Sequence, residues 1–345
     1  MILYGMLYMP AAIAAFCCYR FDRSDNQKQR LDAILLCISL TLTSNYLHSW
    51  LVDENQYFPS LPNLEWQMNL HQSVLQLQPS IVPHSYRFLP DSVIRLFEQI
   101  TGDFSTASHS YRNLFVFLVF YVLYRYGRFF LEHEGSLFSL VLFALVVPVS
   151  YRFYAGQPVD PMSHLSFLLS FIFLETEQWV YLLLTLVVGS LAKETVLAMG
   201  GYYVLCSGWK SRQQMLKATI IVFTALGSFF AVRALVLHGT PAYKQISGVK
   251  FHHITVNWGN QIHWVPQLFY TLGIFLPFLA LGWRVAPRSL RSLVLYLFPV
   301  LFISGLAFSY LREARNFVPL VAPFALMTVY YLCPQQRRDR LAQAC

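Results

Sequence analysis

Charged residues gather in short clusters between long apolar stretches of this sequence. An arginine guanidinium can bind two phosphate oxygens at once, and a carboxylate beside it can take a proton from a hydroxyl. Such residues together predict a site that transfers a phosphate-linked group to a hydroxyl. The residues concerned are Asp53, Glu54, Glu65, Tyr86, Arg87, Arg152, Asp160, Lys193, Glu194, Arg312, Glu313 and Arg315.

Each cluster alone also has a structural explanation. A long charged side chain near a helix end can extend to the membrane interface, and an Arg–Glu pair can tie two helices together. However, a charge at the centre of a membrane helix costs about 2.5–3.5 kcal/mol. Several such charges on one side of a membrane favour a shared polar cavity. An apolar groove beside that cavity would suit a lipid tail.

Three histidines, His252, His253 and His263, raise the question of a metal site. The first two are adjacent, so they point in different directions on regular structure, and the third follows ten residues later. An exposed polar loop over 238–264 is the favoured interpretation. We predict neither a metal nor a cofactor.

The composition is typical of a chain that lies in lipid. Of 345 residues, 56% are hydrophobic and 12% are charged, whereas a soluble domain carries about 25% charged residues. With roughly 20 residues per crossing, an all-α polytopic membrane protein of about eleven transmembrane or membrane-embedded helices is expected. The basic residues behind the net charge of +8 are scattered between apolar spans, which indicates orientation signals and no nucleic-acid partner.

The apolar runs predict both the spans and their orientation. With an external N-terminus, the segments predicted to be cytoplasmic contain most of the 25 basic residues. The same alternation requires a turn at Lys193-Glu194 near the outer face, and it places the polar clusters outside. The predicted spans lie near 2–19, 32–51, 113–131, 137–150, 162–174, 179–192, 195–208, 218–237, 265–283, 292–310 and 317–333.

We predict one integral membrane domain over 1–345. Its long first extracytoplasmic loop, 52–112, contains a helix near 65–77 and an amphipathic helix from Pro90 to about Ile100 that suits the membrane surface. Residues 334–345 form a basic cytoplasmic tail.

Four segments resemble, in order and context, the GT-C type integral-membrane glycosyltransferases, which use polyprenyl- or dolichyl-phosphate sugars. The resemblance covers most of the chain and is loose. The last three segments resemble the Asp-led helix, the Lys-Glu turn and the terminal acidic-Arg-Pro segment of bacterial members. The segments are PHSYRFLPDSVIRLF, AGQPVDPMSHLSFLLSFIFLE, LLTLVVGSLAKETVLAMGGYYVL and YLREARNFVPLVAPFAL.

The resemblance implies inverting transfer from a polyprenyl-phosphate-linked sugar donor to a hydroxyl acceptor. A first-loop carboxylate would act as the base or orient the acceptor, with Asp53 and Glu54 ranked before Glu65. It implies donor-phosphate binding by Arg87, Lys193, Arg312 and Arg315, with Tyr86, Asp160, Glu194 and Glu313 orienting them.

The chain departs from the family in two ways. Its long loop follows the second predicted helix and not the first, and the loop lacks the Asp-Asp or Asp-x-Asp pair of metal-dependent members.

The alternative functions are a transporter, flippase or polymer-export component of cell-envelope glycan assembly, or a non-catalytic membrane protein. The short loops favour a multi-pass protein of a bacterial inner membrane.

Overall fold

A computed structural model describes residues 2–21, 26–53, 63–78, 81, 84–150, 158–207, 211–237 and 251–337. These parts of the chain are helical, as predicted, and the β pairing they contain is an isolated bridge between Leu131 and Arg337. Fifteen α-helices lie within the described ranges. In chain order, α1 to α15 are Ile2–Phe21, Gln27–Asp53, Asn63–Leu75, Phe88–Thr101, Phe104–Gly127, His133–Ser150, Val159–Glu175, Trp179–Ala192, Ala198–Ser207, Arg212–Leu237, Phe251–Gly259, Gln261–Leu272, Leu276–Gly282, Arg288–Phe308 and Val318–Leu332.

Several helices are suited to a lipid environment by length and composition. Within the described ranges, four segments are long and apolar enough to cross a membrane: Gln27–Ser49, Arg212–Val236, Gln261–Gly282 and Arg288–Phe308. Shorter apolar helices cover Tyr8–Tyr19, His133–Val147 and Trp179–Ala192. This abundance of apolar helices indicates a membrane protein.

Helices α5 and α15 form the centre of the bundle. Helix α5 packs against α1, α2, α4, α6 and α7, while α15 packs against α6, α13 and α14. Every residue of α15 from Val318 to Val329 is buried. Helix α10, in contrast, leaves Phe223, Phe230 and Leu235 largely exposed, as expected for a helix that faces lipid.

Two predicted boundaries differ from the observed ones. Helix α5 begins at Phe104 and not near 113, because Asp103 caps it by accepting a 2.8 Å hydrogen bond from the Thr106 backbone N–H. The predicted polar loop over 238–264 is wrong in its second half, where α11 and the start of α12 form. Apolar and polar residues alternate in this segment, so its sequence lacks the apolar stripe that predicts a helix.

The order of the helices gathers many termini at one end of the bundle. Three pairs of helices in contact are antiparallel: α2 with α5, α8 with α7, and α14 with α15. In each pair, the C-terminal end of the first helix lies beside the N-terminal end of the second. We call this the polar end of the bundle, because the predicted clusters of charge lie at these termini.

Candidate functional site

The first part of the site is a two-point ion pair between Arg87 and Glu194. Arg87 donates from Nη2 to Glu194 Oε1 at 2.6 Å and from Nε to Oε2 at 3.0 Å. Arg87 immediately precedes α4, and Glu194 begins the 3-10 turn between α8 and α9. This parallel arrangement is the strongest geometry available to an arginine and a carboxylate.

The second part is a branched ionic cluster around Asp160. This carboxylate, in the first turn of α7, is completely buried. Its two oxygens contact Lys193 Nζ at 3.3 Å and Arg315 Nη1 at 2.8 Å. Arg315 also donates to Glu313 at 3.0 Å, and Lys193 donates to the Asn316 side-chain oxygen at 2.6 Å.

These two parts adjoin, because Lys193 and Glu194 are consecutive residues and the charges of Arg315 and Glu313 act on Arg87. We call them together the ionic network. The network contains three basic side chains, Arg87, Lys193 and Arg315, and three acidic ones, Asp160, Glu194 and Glu313. Its formal charge is therefore zero. Every one of these cations has a carboxylate partner within 3.3 Å, so an added anion would compete with that partner.

Breaks in regular helix place the network residues. Helix α8 ends when Lys193 adopts an extended backbone, with φ −161° and ψ 123°. Gly189, one turn earlier, lies so close to α7 that an added Cβ would be 2.9 Å from the Ser166 Cβ. The absent side chain therefore lets α7 and α8 approach closely enough for Lys193 to reach Asp160.

Asn257 of α11 holds the segment that carries Glu313 and Arg315. Its side-chain nitrogen lies 2.9–3.2 Å from the carbonyl oxygens of Gly305, Leu306 and Ser309, and its side-chain oxygen accepts from the Leu311 N–H at 3.0 Å. The Leu306 and Ser309 carbonyls lie at the end of α14, where carbonyl groups lack partners within the helix, while the Gly305 carbonyl also accepts from the Ser309 N–H at 3.2 Å. Asn257 thus fixes the path of the chain into the site.

Burial and neighbouring charges shift the pKa values of two groups in the site. Burial alone would raise the pKa of the Glu194 carboxyl, but the Arg87 guanidinium outweighs it and lowers this pKa to about 2. Burial also lowers the pKa of His84 from 6.5 to about 3, and the positive charges of Arg87 and Arg315 add to this effect. Neutral His84 beside an ionised Arg87–Glu194 pair is therefore the state at neutral pH.

The site contains residues that sequence reasoning missed. Arg233 of α10 places its guanidinium 4.5 Å from the centre of the buried Tyr86 ring. His48 of α2 is buried and lies within electrostatic range of Asp160. Arg233 is a single polar residue inside an apolar run, whereas His48 lies near the polar residues Ser44, Asn45 and Ser49 at the end of one. Such a residue in a membrane helix is itself a signal of function, and that signal was available from the sequence.

A small cavity adjoins the network. It is lined by α3, the His84 turn, α4 and the first residues of α7, and Gln67, His71 and Asp91 contribute polar groups to it. His71 Nδ1 lies 2.8 Å from Asp91 Oδ1. Asp91, predicted on the polar face of a surface helix, is buried by this contact, while Leu96 and Ile100 of the same helix are exposed.

Other predicted site residues lie outside the network. Arg312 is exposed and contacts the Tyr310 ring at 5.0 Å, and Glu65 is exposed on α3. Asp53 is the last residue of α2, five residues beyond His48 and hence about 7.5 Å further along the axis, with its side chain outside the described part. Glu54 and Arg152 also lie outside the described residues, and His263 is exposed on α12.

The arrangement provides a rigid, desolvated charged region that continues into a histidine-lined cavity. Its guanidinium groups match phosphate oxygens in geometry, and its carboxylates keep those groups in place before a ligand arrives. Comparison of the chain with protein families, with curated proteins and with solved structures gave no significant match.

Proposed function

We propose that this protein is a GT-C type membrane glycosyltransferase that moves a sugar from a polyprenyl-phosphate donor to a hydroxyl acceptor on the extracytoplasmic face. The observation that carries the proposal is the six-residue ionic network. Its residues come from four separate segments of the chain and meet at one end of an apolar helical bundle. Burying so many ions is costly, and a site for a charged ligand gives a reason to retain them.

The donor phosphate would bind at the accessible edge of the network. The Arg87–Glu194 pair is its most exposed ion pair, with side chains 13% and 25% accessible, whereas Asp160 and Arg315 are almost fully enclosed. Arg312, which is exposed, is next to Glu313 in sequence and adds a positive charge beside that member of the network. Asp160, Glu194 and Glu313 orient the cations, and Lys193 and Arg315 complete the positive field.

The donor requires a lipid-facing approach to the same end of the bundle. Helix α10 is the least buried of the four candidate spans, with 22% of its apolar window buried, and it carries Arg233 beside Tyr86. A polyprenyl tail against the apolar face of α10 would bring its phosphate toward the Tyr86–Arg87 turn.

The topology in this proposal is that of a multi-pass protein of a bacterial inner membrane. About eleven membrane-embedded helices, several of them short or broken, would cover the apolar runs. The polar end would then be extracytoplasmic. The opposite end carries Arg128, Glu132 and Arg337 near the Leu131–Arg337 bridge, consistent with a cytoplasmic surface.

A charge exchange distinguishes a ligand site from a simple tie between helices. We would measure sugar transfer from radiolabelled undecaprenyl-phosphate hexoses by purified protein in lipid nanodiscs. The variants are Arg87→Glu, Glu194→Arg, the double exchange Arg87→Glu/Glu194→Arg, and the exposed control Arg95→Ala. A structural ion pair between helices requires only opposite charges, so the double exchange should restore folding. Phosphate binding requires a cation at position 87, which the double exchange removes.

The proposal predicts that the double exchange restores folded protein but not transfer, and that Arg95→Ala retains transfer. Full activity in the double exchange would show that the pair is only structural. The wild type would be given a panel of polyprenyl-phosphate hexoses and pentoses together with membrane extracts that contain candidate acceptors. If folded wild-type protein then transfers no sugar, the enzymatic function is contradicted. A non-catalytic membrane protein, in which the network merely joins helices, would then be the better description.

A further inference from the structure

The cavity beside the network has the size of a single chemical group. Its enclosed part holds about one water molecule. It lies next to the network, because His84 lines it and is also subject to the charges of Arg87 and Arg315. A guest in this cavity would therefore be a water or one hydroxyl group, held close to the proposed donor phosphate.

His71 is fixed in this cavity with a defined orientation. The side chain is 2% exposed, its Nδ1 lies 2.8 Å from Asp91 Oδ1, and its ring packs 5.0 Å from the Phe104 ring. An ionised carboxylate accepts a hydrogen bond and therefore selects the tautomer that carries its proton on Nδ1. The lone pair of His71 is then on Nε2.

Two nitrogen atoms beside the cavity lack hydrogen-bond partners among the described residues. They are His71 Nε2 and Gln67 Nε2, both buried. The two residues are four apart on α3 and thus share one helix face. The Glu98 carboxylate is 3.6 Å from His71 Nε2, which is too long for a hydrogen bond, and it already accepts from Arg95 at 2.9 Å.

Buried polar atoms in proteins are almost always partnered, so these two nitrogens point to a site for a small polar group. They are also complementary, since one is an acceptor and the other a donor. An O–H group has the matching pair of functions. It can donate its hydrogen to His71 Nε2 and accept a hydrogen from Gln67 Nε2.

We propose that this cavity binds the acceptor hydroxyl and that His71 is the general base, with Asp91 fixing its tautomer and Gln67 positioning the hydroxyl oxygen. This inference rests on the proposed glycosyltransferase function. The acceptor oxygen forms a bond to the sugar carbon as its proton passes to His71 Nε2. The bond between that carbon and the donor phosphate oxygen breaks, and the polyprenyl phosphate leaves with the electron pair. Asp91 stabilises the imidazolium that results.

The first test is independent of catalysis. The full-length protein, labelled with ¹⁵N-histidine and held in nanodiscs, is studied by NMR at neutral pH, with His71 assigned by the His71→Gln variant. Methanol is the probe, as the smallest alcohol. We expect a protonated Nδ1, an unprotonated Nε2, and a shift of the Nε2 resonance on addition of methanol. The Gln67→Ala variant should weaken that response, and the exposed-histidine control His263→Gln should retain it.

Protonation of Nε2, or an Nε2 resonance that does not respond to methanol, would overturn the hydroxyl site. The Asp91→Asn variant adds a check that preserves side-chain size. An asparagine can donate from its amide to Nδ1 and favour the opposite tautomer. Retention of both the wild-type tautomer and the wild-type kcat in this variant would contradict the role of Asp91.

The second test uses transfer from undecaprenyl-phosphate hexoses. His71→Gln should lower kcat by about 10²–10⁴-fold and leave the KM for the donor little changed. The charged groups that face His71, namely Asp91 and Glu98, stay in place in this variant. Wild-type kcat in His71→Gln would overturn the assignment of the base. A wild type that transfers no sugar would overturn the proposed function, while the NMR test would still decide the hydroxyl site.

Discussion

Arg87 and Glu194 lie 107 positions apart in the sequence and meet through two parallel hydrogen bonds of 2.6 and 3.0 Å. Arg87 lies between the 3-10 turn His84–Tyr86 and α4, and Glu194 begins the 3-10 turn after α8. The pair therefore joins the start of α4 to the turn between α8 and α9. Because the pair links two parts of the chain that are far apart in sequence, its loss should loosen the site.

Loss of the Arg87 guanidinium should destabilise the protein as well as impair transfer. We expect Arg87→Ala to lower the free energy of unfolding by about 3 kcal/mol, because a partly buried carboxylate is left without its partner. Arg87→Lys should cost less, since it keeps the charge but loses the two-point geometry. The measurement is unfolding of the purified protein in mixed micelles by titration with SDS.

The pair Arg95–Glu98 gives a comparison for this prediction, because its arginine is 60% exposed although its carboxylate is 13% exposed. Arg95→Ala should cost at most about 1 kcal/mol, since water solvates that arginine. Equal losses for Arg87→Ala and Arg95→Ala would show that the Arg87–Glu194 pair contributes no more than an ion pair whose arginine is exposed.

Asp160 should be the most sensitive position of the network. It compensates both Lys193 and Arg315 and is completely buried. We expect Asp160→Asn, which preserves the side-chain size, to cost about 3–5 kcal/mol. Glu313→Gln should cost less, because Arg315 then keeps Asp160. The yield of monodisperse protein and its thermal midpoint compare the two variants, and a larger loss for Glu313→Gln would contradict the assignment of Asp160 as the centre.

Asn257 should be important for activity although it contacts no charged residue of the network. The Asn257→Ala variant loses its hydrogen bonds to the end of α14, at about 1 kcal/mol each, and frees the segment that carries Arg315. Asn257→Asp should be no better, because a carboxylate faces three carbonyl oxygens. Hydrogen exchange of residues 305–315 is the measurement, with the exposed Asn260→Ala as control. Unchanged protection in Asn257→Ala would refute this role.

Stability should fall as the pH drops below about 6.5, with His84 as one cause. Burial lowers the pKa of His84 in the folded protein to about 3, so between pH 6.5 and 3 the unfolded chain binds a proton that the folded protein does not. His84 therefore destabilises the fold progressively in that window and has no such effect above it. Thermal midpoints of wild type and His84→Gln, recorded from pH 7.5 to 5, should converge or cross as the pH falls. A constant difference between them would disprove the effect.

Much of the helical architecture followed from the apolar runs. The helices that became α2, α8, α10 and α14 are long apolar stretches bounded by charges, and such stretches have few alternatives in lipid. Helix α11 escaped prediction because its nine residues include two histidines, an asparagine and a threonine. What makes that segment helical is its packing on α14, through Asn257, and no local pattern reveals this contact.

The site was predictable in its residue types but not in its pairings. The sequence indicated that Arg87, Lys193, Glu194 and Arg315 share one face, and the structure brings them together. The sequence does not show that Arg87 pairs with Glu194 and not with Asp160. Both carboxylates carry the same charge, and only the packing of the helices decides which of them lies beside Arg87. Asp91 was assigned to a solvated face because helical periodicity does not show that a histidine of the preceding helix covers it.

The order in which the Asp160 partners appear along the chain has a consequence for biosynthesis. Lys193 follows Asp160 by 33 residues, but Arg315 follows it by 155. A growing chain therefore carries Asp160 with one cationic partner, Lys193, until the segment before α15 has been made. A product that stops before residue 315 keeps that single pair but lacks Arg315, so its part of the network is less firmly held. Quality-control proteases that act on loosely packed membrane helices would have a ready means to separate such truncated products from finished ones.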